Sequence, residues 1–195
     1  FHRHWPAFLA AAVLVAIPYR DWDSLFTRAG YWGFNDRYVT GIFLMNLPLE
    51  EVLFFICIPF SCVFTYFCLD KFFDLNWTNA FNNTIVFLSV IVCTVVALLH
   101  TQEIYTFVTA IAFTLTFIYL HFIANAEWIG KASLVYLILL LGFFPVNGIL
   151  TGTGLETPIV NYNPDEFLGI RMFTIPIEDA VYGYTQFLLI IYFFK

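Results

Sequence analysis

Charge is scarce in this chain. Only 11% of its 195 residues are Asp, Glu, Lys or Arg, less than half of the roughly 25% usual in soluble domains. So little charge cannot cover a soluble surface, which excludes an ordinary cytosolic domain and a disordered chain. Eight Lys and Arg stand against 14 Asp and Glu, a formal charge of −6, so no basic stripe exists for nucleic acid. Lysine is missing from the middle of every apolar run: Lys71, Lys131 and Lys195 are all terminal. A retinal Schiff base is thereby excluded. No Gly-x-Gly-x-x-Gly occurs, so no dinucleotide fold is indicated. No paired Asp-rich motif is present to hold magnesium diphosphate, which argues against a membrane prenyltransferase. Cys57, Cys62, Cys68 and Cys93 form no Cys-x-x-Cys, and no His or acid sits at ligand spacing from them. They read as small buried hydrophobes, and no metal site is expected.

What is abundant is apolar surface. Hydrophobic residues make up 61% of the chain, with 25 Phe, 11 Tyr and 5 Trp, and the mean hydropathy is +0.82. The natural solvent for such a chain is lipid. A spanning helix needs roughly 20 mostly apolar residues. Six runs satisfy this, at about 5–26, 43–69, 81–100, 104–123, 132–150 and 172–194. The runs are continuously apolar, as in Ile85 to Leu99, rather than alternating as barrel strands do. The expected fold is therefore all-α, a polytopic transmembrane helix bundle.

Two longer connections, about 27–42 and 151–171, repeat each other. Asn35, Gly41, Ile42, Pro48 and Glu50 fall without a gap on Asn163, Gly169, Ile170, Pro176 and Glu178, and Glu51 falls on Asp179. Every pair is 128 residues apart. The offset predicts two homologous halves. Four crossings, an even number, separate the helices after Pro48 and Pro176. Both acid pairs therefore enter from one side, and the repeats are parallel, related by an axis along the membrane normal. That same side receives 11 of the 14 acids. Lys and Arg split four to four between the sides, so the positive-inside rule leaves the orientation open.

The repeated acids carry the chemical expectation. Glu50-Glu51 and Glu178-Asp179 open apolar helices at the hydrocarbon boundary. An ionised carboxylate there costs at least a few kcal/mol, so the acids are expected to face the bundle interior. One that is held neutral is a Brønsted acid with a stored proton. Asn46 and Thr174 are candidate helix N-caps just upstream. Aromatic residues follow both pairs, including Phe54, Phe55 and Tyr182, and aromatic faces attract cations. A proton donor in a dry aromatic pocket suits carbocation chemistry on a hydrocarbon. The bland alternative is a pair of interfacial acids beside an aromatic belt. Asp23 reads either as an interfacial ion pair with Arg20 or as part of the site. Asn35 and Asn163 either orient the carboxyls or make turns.

At Trp32-Gly-Phe-Asn35, Gly41 and Asn46-Leu-Pro48-Leu-Glu50-Glu51-Val-Leu-Phe-Phe55 the sequence resembles a known family. It is similar to the integral-membrane lycopene cyclases of the bacterial heterodimeric type and their fused archaeal and fungal relatives. Those carry Pro-x-Glu-(Glu/Asp) in each of two halves, read here as Pro48-Leu-Glu50-Glu51 and Pro176-Ile-Glu178-Asp179. The resemblance implies a single-chain fusion of both halves. It also implies a non-redox lycopene β-cyclase that needs no cofactor. Glu50 and Glu178 are then expected to carry the proton chemistry, Glu51 and Asp179 to assist, and Asn35, Phe54, Phe55 and Tyr182 to bind substrate. The expected partners are lycopene, membrane lipid, and other carotenoid-pathway enzymes or a second copy; the expected location is the bacterial cytoplasmic membrane. Family members usually have a further N-terminal helix, so a segment before Phe1 is expected, bringing the helices to seven. The organisation would be residues 1–80 as a first repeat, 81–100 as a connecting helix and 101–195 as a second repeat. The alternative is a non-catalytic carotenoid-binding, assembly or proton-coupled transport subunit.

Overall fold

Each apolar run forms a helix. The computed structural model describes residues 1–195. Its helices are α1 (Trp5–Ala29), α2 (Leu49–Phe72), α3 (Asn82–Leu99), α4 (Ile104–Ile118), α5 (Ile129–Leu150) and α6 (Ile177–Phe194). The all-α expectation therefore holds. A π turn over Tyr119–Ile123 extends α4. Helices α2, α4 with its extension and α5, together with Asn76–Leu99, are long and apolar enough to cross a membrane. α1 and α6 fall outside that group. Their charges gather at one end: Arg20, Asp21, Asp23 and Arg28 in α1, Glu178 and Asp179 in α6.

Two helix starts differ from the sequence reading. Residues 43–48 and 172–176 are not helical. They form tight hairpins, β2 (Phe43–Leu44) with β3 (Leu47–Pro48) and β5 (Arg171–Met172) with β6 (Ile175–Pro176). The chain turns on a left-handed residue in each, Met45 at φ 62° and Phe173 at φ 59°. Pro48 and Pro176 then precede the first helical residues of α2 and α6 with extended backbone, consistent with a residue whose missing N–H suits a helix start. Asn46 and Thr174 are not N-caps, because both side chains are engaged elsewhere. Asn46 bonds Ser24, and Thr174 bonds Thr151 and Thr153.

The 128-residue offset is written into the backbone. The hairpin registers Phe43 with Pro48 and Arg171 with Pro176 are offset copies. So are the bonds Leu49 N to Ile42 O, at 2.8 Å, and Ile177 N to Ile170 O, at 3.1 Å. The long connections also meet each other. β1 (Trp32–Phe34) pairs antiparallel with β4 (Val160–Tyr162), placing Gly33 opposite Asn161. Asn35 N donates to Ile159 O, and Asn163 N donates to Tyr31 O, both at 2.8 Å. A local two-fold axis therefore passes between Gly33 and Asn161.

Helix directions agree with parallel halves. Trp22 near the end of α1 meets Tyr182 near the start of α6, with ring centroids 5.1 Å apart. At the other end, Phe1 meets Phe67 of α2 and Phe194 of α6. α2 and α6 both run antiparallel to α1, hence parallel to each other. Within the bundle α4 lays a face of Thr106, Thr109, Ala110 and Phe113 inward, and small and hydroxylated residues of this kind allow close helix packing in lipid. Far from the strand pair, Lys131 of α5 donates to Asp70 of α2 at 2.5 Å. The outer faces are apolar, with Leu99 73% and Leu141 75% exposed, as expected of surfaces that meet lipid.

Candidate active site

The two acids of each repeat have different surroundings. Consecutive helical residues are rotated by about 100°, the angle set by roughly 3.6 residues per turn. The first acid turns back to its own loop. Glu50 Oε1 accepts the backbone N–H of Thr40 at 2.7 Å. Its counterpart Glu178 Oε1 accepts the N–H of Leu168 at 2.9 Å, and also the Thr106 hydroxyl at 2.5 Å. The second acid, Glu51 or Asp179, turns into a cavity of about 300 Å³.

That cavity lies between α2, α5 and α6 and reaches the β1–β4 pair. Ile58 and Cys62 of α2, Leu139 and Phe143 of α5, and Gln186 and Phe187 of α6 are among its lining residues. Three lining residues, Ser61, Gly142 and Val146, are exposed on the outside of the bundle, so the cavity opens sideways between α2 and α5. Asp23 joins Glu51 and Asp179 at the polar end. The site is thus a mostly apolar slot with three carboxyls.

The carboxyls are held differently. Asp179 accepts two phenol hydroxyls, from Tyr105 at 2.6 Å and from Tyr162 at 2.8 Å. Burial, and then the neighbouring Asp179 charge, push the Tyr162 phenol well above its ordinary range. It therefore remains a donor. On the other side the carboxyls of Asp23 and Glu51 lie together at the polar end of the cavity. Two adjacent carboxyls disfavour double ionisation. Asp23 is brought there by α1. Ser24 Oγ donates to Asn46 Oδ1 at 2.5 Å, and Asn46 Nδ2 donates to Ser24 O at 2.9 Å. These two bonds tie α1 to the hairpin that precedes Glu51. The Tyr182 hydroxyl lies beside Asp23, without good hydrogen-bond geometry.

The cavity brings together some of the residues expected at the site and leaves others apart from it. Glu51, Asp179, Phe54 and Tyr182 line the cavity. Glu50 and Glu178 do not: their carboxylates are engaged by loop backbone. Phe55 is buried in the helix core at 3% exposure. Asn35 braces its loop by donating to Thr157 Oγ1 and Pro158 O and accepting from Arg37 N. Of the two readings of Asn35, the turn is the observed one. Asn163 makes the matching turn with Asp165 N. Tyr105, Tyr162 and Gln186 were not singled out from sequence. Tyr162 carried a signal, since its 128-offset counterpart is Phe34 and the hydroxyl is the difference. Tyr105 carried none, because α4 has no counterpart within the chain. No group of three or more His, Cys, Asp or Glu side chains is arranged to hold a metal ion.

The fold is a helical bundle with four segments long and apolar enough to cross a membrane, around a mostly apolar cavity that carries three carboxyls. The family model described as lycopene cyclase matches residues 1–69 and 102–195, leaving out the stretch that holds α3. The chain belongs to the lycopene cyclase family. Among curated proteins it is similar to a bifunctional lycopene cyclase/phytoene synthase of Phaeosphaeria nodorum, 36% identical over 63 residues, 32% of this chain and 10% of the relative. The protein of the same description from Leptosphaeria maculans is 38% identical over 66 residues, 33% of this chain and 11% of the relative. That from Pyrenophora tritici-repentis is 35% identical over 63 residues, 32% of this chain and 10% of the relative. The chain thus spans only about a tenth of the length of these curated relatives. No solved structure matches it.

Proposed function

We propose that this chain is a carotenoid cyclase that closes the acyclic end groups of lycopene into β-rings. The observation that carries the reading is the set of three carboxyls, Asp23, Glu51 and Asp179, on one apolar cavity that opens toward lipid, in a chain of the lycopene cyclase family. A carboxylic acid gives its proton to the terminal double bond of the polyene. The tertiary cation is attacked by the internal double bond, closing a six-membered ring. A carboxylate then takes a ring proton from the carbon beside the new cation. One proton is added and one removed, so the reaction is an isomerisation and requires no redox cofactor.

The cavity's geometry suits this substrate. Its volume lies at the low end of the roughly 300–1,000 Å³ usual for ligand sites. That is room for an end group, with the rest of the polyene leaving through the side opening into lipid. Tyr182, Phe54 and Phe187 offer aromatic faces to a desolvated cation. We assign the cavity acids Glu51 and Asp179 to the reacting centre, and Glu50 and Glu178 to the loops that position them.

The organisation inferred here is residues 1–80 and 101–195 as fused repeats joined by a connecting helix at 81–100, in one membrane unit. Under the offset α5 corresponds to α1 and α6 to α2, while α4 has no counterpart. The α2 face equivalent to the one α4 covers on α6 includes exposed Leu53, Ile56 and Phe64, which is the place for a seventh helix. The bacterial cytoplasmic membrane follows from the resemblance to bacterial cyclases alone, whereas the curated relatives named above are fungal. Other pathway enzymes or a second copy remain the proposed protein partners.

Expression in lycopene-making bacteria tests the function. Pigment chromatography is expected to show β-ring carotenes. Unchanged lycopene retained by the purified protein would overturn the cyclase reading in favour of a carotenoid-binding subunit.

A further inference from the structure

The sequence repeat makes the two acid motifs look alike, yet the structure makes their surroundings unlike. Under the 128-residue offset Asp23 corresponds to Thr151, and Tyr162 corresponds to Phe34. The first half therefore adds a carboxyl beside Glu51 where the second half has a threonine. The second half adds a phenol on Asp179 where the first half has a phenylalanine. Tyr105, from a helix with no counterpart in the chain, adds a second phenol to Asp179. Each departure from symmetry lies on the same cavity.

We propose that Asp23 and Glu51 share one proton and act together as the acid that starts cyclisation, while Asp179, clamped by Tyr105 and Tyr162, is the base that ends it. The assignment rests on the cyclase reading and gives each carboxyl a direction. Two carboxyls side by side on one mostly apolar cavity disfavour double ionisation, which leaves one of them with a transferable proton. When that proton leaves for the substrate, two adjacent carboxylates remain, and the next proton is drawn back to the pair. Asp179 is the opposite case. Both of its oxygens accept O–H donors, an arrangement that suits the ionised form. A carboxylate fixed by two donors is oriented to stabilise a cation and to remove a proton at one place.

The balance follows directly. The Asp23–Glu51 proton forms a new C–H bond at the terminal double bond, the carbon–carbon ring bond forms, and a different C–H bond breaks onto Asp179. After each ring the pair has lost a proton and Asp179 has gained one. Asp179 gives its proton up to water and the pair regains one from water, for which Tyr182, beside Asp23 and facing the same cavity, is placed as the relay. The counterpart of Tyr182 is Phe54, so the hydroxyl belongs to one half only.

The experiment uses the full chain in membranes with lycopene in D₂O, with carotenes read by mass spectrometry and chromatography. The wild type is expected to place one deuterium in each ring formed. Asp23→Asn is expected to lower ring formation by at least about 10²-fold, the lower range of general-acid contributions, with no deuterium in the recovered lycopene. Asp179→Asn is expected to lower rings as well, yet to leave deuterium in recovered acyclic carotene, because protonation persists while the ordinary proton loss does not. Asp23→Glu is expected to restore part of the activity lost in Asp23→Asn. Tyr162→Phe, which leaves the acid pair untouched, is expected to raise the ratio of deuterated acyclic carotene to rings. Helix content by circular dichroism checks that each variant folds. The reverse pattern, label in Asp23→Asn and none in Asp179→Asn, would overturn the assignment while leaving the cyclase reading intact. A wild type that forms no rings would instead defeat the reading beneath it.

Discussion

Glu50 and Glu178 make the same bond 128 residues apart: each accepts the backbone N–H of the residue ten positions earlier, Thr40 at 2.7 Å and Leu168 at 2.9 Å. The bond closes the loop in front of the helix and fixes the rotation at which α2 or α6 begins. The next acid is thereby aimed into the cavity. Under the proposed function the pair of acids has two tasks, a loop brace and a reacting group.

That division of labour predicts unequal variants. In Glu50→Gln the amide oxygen still accepts the Thr40 N–H at an exposed position. The bond is kept and solvent-exposed, so cyclisation is expected to stay within about fivefold of wild type. Glu51→Gln removes a transferable proton and is expected to cost about 10²–10⁴-fold, the span of general acid–base catalysis. Ring formation in lycopene-making cells, normalised to membrane protein, decides between them. Equal losses in the two variants would contradict the division.

Gly183 predicts a steric effect on the cavity. A Cβ there would meet the Tyr136 hydroxyl oxygen at 3.1 Å and Phe143 at 3.9 Å. The offset counterpart is Phe55, which fills the helix core. Gly183→Phe therefore puts an aromatic ring where the substrate end group is proposed to lie. Loss of rings of about 10²-fold or more is expected, the scale on which misplaced substrates lose rate. The helix content should be unchanged by circular dichroism. Retained cyclisation would move the substrate to another place.

Gly130 predicts a stability effect with no bearing on chemistry. A Cβ at this position would lie 2.1 Å from the Thr78 carbonyl oxygen, and the Gly130 N–H donates to Asn82 Oδ1 at 2.6 Å. Backbone cannot step aside as a side chain can. Gly130→Ala is expected to cost about 1–3 kcal/mol, the usual range for overpacking. The expected readout is a lower Tm in detergent with the wild-type ratio of ring products.

The repeat made much of the fold legible in sequence. Long apolar runs fix helices because lipid leaves backbone groups no other partner, and the shared offset of Asn35/Asn163, Gly41/Gly169 and Pro48/Pro176 reports parallel halves. The hairpins before α2 and α6 were hidden, since Phe43 and Leu44 extend an apolar run without marking where helix begins. The site was legible at the level of the motif and not of the single carboxyl. Two adjacent acids read alike in sequence, and only the helix rotation separates Glu50 from Glu51. Asp23 was legible as a candidate without its partner. Its approach to Glu51 depends on the bonds between Ser24 and Asn46, a long-range contact that no local pattern encodes.

Exchanging the symmetry-related aromatics gives the last prediction. Tyr162 donates to Asp179 Oδ2 at 2.8 Å, and its counterpart Phe34 lines the cavity with Glu51. Tyr162→Phe removes one of two donors from a carboxylate. Hydrogen bonds to charged groups contribute about 1.5–3 kcal/mol, so cyclisation is expected to fall by about 10–150-fold, the rate factor of that energy. Phe34→Tyr does the converse. It presents a new hydroxyl to Glu51, where a phenol donating to the carboxyl would compete with the proton shared with Asp23. Activity is expected to fall here too, although a donor has been gained and nothing removed. In the double variant Phe34→Tyr/Tyr162→Phe the phenol has changed sides, and the two effects are expected to compound rather than cancel. Ring formation by the double variant below either single variant would mean that the two halves do different work. Recovery toward wild type would mean that the carboxyls are interchangeable, and the asymmetry of the cavity would then be without chemical consequence.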